Sequence, residues 1–192
     1  VADARPTQLP AEFEQAVGSL VGVDLRPEVQ VEEIRAPQRL APWAHALGLD
    51  IVHGGALAAS GRLVVLYDPD GHDAWHGRFR LVGYASVELE AELASDPLLP
   101  EVAWSWLVDA LRQRSARHTA AGGTVTQTTS TRFGEPPGDP AGGASSELEL
   151  RVSWSPLGPD LGGHLQAWAD LLCTAAGLPP PGITALPGPD PR

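Results

Sequence analysis

A chain of 192 residues with a net charge of −11 and a pI near 4.8 repels phosphate backbones and anionic lipid surfaces over most of its area, which argues against nucleic acid and membranes as partners. All 13 of its Lys/Arg positions are Arg, so Schiff-base catalysis, pyridoxal phosphate attachment and a phosphate-binding loop lysine are closed to it. The single Cys173 rules out a disulfide-built secreted scaffold and points to a reducing, cytoplasmic setting, as does a start, VADARPTQLP, without the profile of an export signal.

The first segment, Pro10 to Val21, puts Phe13, Ala16, Val17, Leu20 and Val21 on one helical face. Residues 28–34 then alternate Val29 and Val31 with Glu28, Gln30 and Glu32, as a half-buried strand does. Residues 36–60 read as a long insertion, with a helical turn or short helix after Pro42. Arg62 to Tyr67 is an apolar strand, and Asp68 to Gly71 (DPDG) predicts the tight turn of a hairpin. On the return strand Phe79, Leu81, Gly83, Ala85, Val87 and Leu89 share one face, with Gly83 expected at a bulge.

From about Pro100 to Arg114 the pattern is helical, with Ala103, Trp106, Leu107, Ala110 and Leu111 as its stripe. Trp104 and Val108 widen the apolar arc to about 200°, more than one packing partner can cover. Residues 123–133 are Thr-rich and β-branched, as in a solvated or edge strand. After a mobile loop expected at 134–146 comes a strand with Leu148, Leu150, Val152 and Trp154 on one face. Asp160 is placed to cap a last helix striped by Leu161, Leu165, Trp168, Leu172 and Ala176, which Gly177 and Pro179 end.

The expected architecture is therefore a single α+β domain over 1–177, order α-β-β-β-α-β-β-α, followed by a Pro-rich tail at 178–192. Helices cover a mainly antiparallel sheet of about five strands.

Chemistry is thinly represented. The sequence contains no GxSxG, HExxH or CxxC pair and no GxGxxG after a strand, and neither a catalytic residue nor a cofactor site is assigned. Metal donors are densest in DPDGHDAWHG, where Asp68, Asp70, His72, Asp73 and His76 lie close together and His53 is a remote third imidazole. The loop is not a calcium hand, since counting from Asp68 the Gly comes fourth and Phe79 stands twelfth. A plain polar hairpin connection is the simpler reading, with Trp75 folding back on the core. His45, His118 and His164 have no carboxylate partner legible in sequence, and Cys173 reads as a small buried hydrophobe.

The segments RPEVQVEEIRAPQRLAP, GRLVVLYDPDGHDAWHGRFRLV, SDPLLPEVAWSWLVDAL and HLQAWADLLCTAAGLPP together resemble an actinobacterial family of unknown function, numbered 3000. An origin in GC-rich actinobacteria agrees with a composition lacking Lys, Asn and Met. The resemblance carries over no activity. The element order is similar to the type III secretion chaperone-like fold, whose small acidic members hold other proteins and dimerise through the middle helix. That analogy implies an adaptor that binds another protein or itself, a possible homodimer, with Trp104 and Val108 at the interface. The alternative is a metal-dependent or small-molecule enzyme working at loop 68–76.

Overall fold

The computed structural model describes residues 9–131, 133 and 144–179. Among the described residues six strands form one antiparallel sheet: β1 (Val29–Ile34), β2 (Trp43–His53), β3 (Ala56–His72), β4 (Gly77–Leu89), β5 (His118–Thr131) and β6 (Ala144–Pro156). Their spatial order is β1-β2-β3-β4-β6-β5, so β1 and β5 are the two edges. Helices α1 (Ala11–Gly18), α3 (Leu99–Gln113) and α4 (Gly162–Ala175), with the short α2 (Ala91–Ala94), complete an α+β architecture. No helix among the described residues is long and apolar enough to cross a membrane.

The sixth strand is β2, inside the supposed insertion, where a helical turn was expected. Its period is blurred because neighbours Ala46 and Leu47, on opposite faces, are both buried. It meets β3 through Gly54 and Gly55, both with positive φ, the backbone that a two-residue hairpin demands. The DPDG turn is displaced as well. β3 runs on to His72, and the chain reverses over Asp73–Trp75, a single 3-10 turn closed by left-handed His76. The Asp68 carboxylate accepts the Asp70 amide at 3.0 Å, so these residues make a local Asx kink inside the strand.

Rows set by the register place Leu47, Leu63, Gly83 and Val152 side by side, and next to them Leu49, Gly61, Ala85, Leu150 and Val125. This face and the helices enclose the core, whose largest fully buried side chains include Trp154 and Trp168. Gly83 does not mark a bulge. Its pairing is regular on both sides, and a Cβ there would lie 2.7 Å from the Trp168 ring, so glycine is what lets α4 approach the sheet. The Arg114 guanidinium donates to both Asp170 oxygens, at 2.6 and 3.0 Å, tying α3 to α4. Tyr67 donates to Glu12 at 3.0 Å, and Phe13 stacks on its ring, which seats α1.

Helix ends follow the sequence in part: α1 stops at Gly18 and leaves Val21, expected on its buried face, exposed, and the cap residue of α4 is Leu161 and not Asp160. Gly177, at φ +73°, closes α4 in the left-handed form that glycine tolerates. Asp160 accepts the Gly162 amide at 3.3 Å. Leu178 is buried and the Pro179 carbonyl accepts from Arg26 at 2.7 Å, so the first two residues of the expected tail belong to the fold. Positions 180–192 and most of the 134–146 loop lie outside the described residues, whereas Ala144, Ser145 and Ser146 begin β6.

Candidate protein-interaction surface

β5 is an edge strand of 14 residues, HTAAGGTVTQTTST, without an acidic or Arg side chain. Threonine and valine favour extended backbone, and Val125 is the apolar side chain that turns toward the core. Its inner border is fixed by close approach to β6: a Cβ on Gly123 would stand 2.4 Å from the Arg151 carbonyl. Its start is irregular. The register slips between Thr119 and Gly122, and Ala120 takes φ +51°. Arg80 reaches from β4 to hold this bulge, donating to the Ala120 carbonyl at 2.8 Å and to Ser155 and Ser153 hydroxyls at 3.1 and 2.6 Å. These acceptors are all neutral, and burial lowers the guanidinium pKa. Beyond the bulge, Gly122 to Thr131 is regular, and among the described residues its outer border pairs with nothing.

Above this edge lies α3. Ala103, Leu107, Ala110 and Leu111 are buried as expected and Leu99 joins them, whereas Trp106, expected in the same stripe, is only partly buried; Trp104 and Val108 are partly buried on the other flank. A groove of about 510 Å³ continues that flank toward the start of β5, lined by Val108, Leu111, Ala116, His118 and Leu157 together with Arg112, Ser115 and Arg117. Leu157 is 55% exposed. On the opposite flank Leu98 and Val102 are exposed, an apolar strip that the helical pattern alone had not singled out.

Of the loop donors, the Asp68 carboxylate and the His72 ring are engaged locally, and Asp73 and His76 meet through their backbones. His72 Nδ1 accepts the Ala74 amide at 3.2 Å and its ring stacks on Trp75, and the His76 amide donates to the Asp73 carbonyl. Among the described residues no three His, Cys, Asp or Glu side chains are grouped so as to hold a metal ion. His53 sits at the far end of the 17-residue β3, roughly 50 Å from the loop at about 3.3 Å per residue, so it is no third ligand.

The remaining histidines serve structure. His45 approaches Glu33 at 3.7 Å, a pairing the sequence did not reveal. His118 bonds the Ala116 carbonyl through Nδ1 at 2.9 Å. Buried His164 accepts the Trp154 indole N–H at 3.0 Å, an arrangement that needs the neutral ring; burial, then nearby His118, hold its pKa down at about 4. Cys173 is buried, and that burial pushes its thiol up to about 11, far from a nucleophile's range.

No curated protein and no solved structure matches the chain. A family model described as protein of unknown function (DUF3000) matches residues 9–184. With nearly its whole length inside that match, the chain belongs to the DUF3000 family.

Proposed function

We propose that this protein is a small cytoplasmic adaptor, chaperone-like in use, that takes up an extended protein segment as an added strand along β5. The observation that carries the reading is the edge itself: a long strand, free of Lys, Arg, Asp, Glu and Pro, whose outer backbone groups are unpaired among the described residues. Main-chain hydrogen bonds supply affinity in such an addition, and neighbouring apolar surface supplies selectivity. Trp104, Val108 and the groove below them offer that surface. An actinobacterial source and a reducing compartment belong to the same reading, resting on the Lys-free composition and the lone buried thiol.

The test is to select binding segments from a random displayed peptide library and map them by hydrogen exchange. Segments that bind should be β-prone and should slow exchange within residues 122–131, and Trp104→Glu should weaken them with circular dichroism unchanged. Segments that instead protect residues 68–76 would move the functional site to that loop.

A further inference from the structure

We infer that the strand added along β5 is the β5 of a second copy of this chain, paired antiparallel across a two-fold axis that passes midway between Thr126 and its copy. This rests on the strand-addition reading and names its occupant.

Three observations on the molecule select that occupant. The first is charge. At −11 overall, two copies meeting through most surfaces would bring carboxylates together, whereas Gly122 to Thr131 contributes no charge to the contact. The acids nearest this border, Glu149 and Glu147 on β6 beside Thr126 and Thr128, are already engaged by Arg151 and Tyr84 and by Ser86, so the border itself favours an uncharged strand, and the copy carries one.

The second is parity. Opposed residues of an antiparallel pair point to the same face, so a two-fold perpendicular to the sheet must pass midway between a residue and its own copy, and Thr126 lies near the middle of the regular run. Thr124 then opposes Thr128, and Val125 opposes Gln127. Thr–Thr pairs across a ladder are favourable, and no like charges face one another.

The third is the helical layer. With the axis perpendicular to the sheet, both copies present their helices on the same side, and the Trp104–Val108 flanks rise on either side of the new ladder. A two-stranded ribbon by itself is marginal in water, so the ladder needs apolar area beside it, and these flanks supply it.

The experiment is sedimentation of the full chain over two decades of concentration, with Thr126→Arg and Thr126→Glu examined separately and as an equimolar mixture. Thr126 is exposed, its side chain makes no hydrogen bond among the described residues and its cross-strand neighbour is Glu149, so Thr126→Arg should keep full stability and Thr126→Glu should lose a little of it while keeping the fold, which circular dichroism checks. The wild type should pass from monomer to dimer. Each variant alone places like charges across the axis and should raise the dimer Kd about tenfold or more, and the mixture should restore the dimer. A wild type that stays monomeric throughout, or a dimer that neither charge disturbs, overturns self-pairing. If a monomer's residues 122–131 are still shielded by selected peptides, strand addition stands and only the second copy is wrong; if those peptides shield another region, both fall.

Discussion

The two edges of the sheet are built by opposite means. β1 has six residues, carries Glu32 and Glu33, and is flanked in sequence by Pro27 and Pro37. Shortness, charge and proline are devices that keep a free edge from pairing with another chain. β5 is more than twice as long and has none of them. Its one irregularity, the Ala120 bulge held by Arg80, protects the start of the strand and leaves Gly122 to Thr131 open. The proposed pairing along β5 rests on this contrast: one edge is guarded and the other is not, while the chain as a whole is strongly negative.

The sharpest way to break this contrast is at the glycines beneath each edge. Gly123→Ala drives a methyl group against the Arg151 carbonyl, which is backbone and cannot rotate away, and should cost about 3 kcal/mol or more. Gly48→Ala beside β1 meets only the Ile34 and Glu32 side chains, at 3.2 and 3.4 Å, and should cost about 1 kcal/mol or less. Urea unfolding measures both. Equal losses would mean that β5 is not seated by close contact with β6, and the surface described for it would lose its footing.

A somewhat smaller effect comes from acid. His164 accepts from Trp154 on β6, the strand that carries β5, and its folded pKa of about 4 lies below the ordinary 6.5. The unfolded chain therefore takes up protons first as pH falls, and the stability this ring contributes above pH 6.5 is lost progressively down to about pH 4. Between pH 7 and 4.5 the loss should be about 2 kcal/mol. Denaturant titrations at the two pH values, repeated on His164→Gln to remove this ring from the carboxylate background, give the number. A pH slope identical in the variant would contradict the assignment.

How much of this was legible in the sequence depends on where the determining contact lies. β4 and β6 have one face on the core, so their alternation is clean, and the Gly177 stop of α4 is a local backbone requirement. β2 was hidden because its two faces are both partly covered, although the Gly54–Gly55 pair is a hairpin signal that could have exposed it. Gly83 was misread for a different reason: the ring that requires it belongs to Trp168, on a helix far along the chain. The DPDG turn failed because the pairing of His72 with Gly77 draws the strand past it.

The candidate surface was half visible. The uncharged, Thr-rich character of β5 is written in the sequence, and so is the excess apolar arc of α3. A helical wheel is symmetric about that arc, however, and gives no reason to prefer Trp104 and Val108 over Leu98 and Val102 until the groove toward His118 and Leu157 is known. The Thr-rich pattern already read as a solvated or edge strand, and β5 does lie at an edge; what no local pattern records is the late return of β6 between it and β4.

The most direct test is residue-resolved hydrogen exchange of the wild-type chain at low and at high protein concentration, comparing the two edges within one sample. Amides of 122–131 should become slower to exchange as concentration rises, while those of Val29–Ile34 stay as they were. Rates in β5 that ignore concentration, or slowing that appears in β1 instead, would contradict the account.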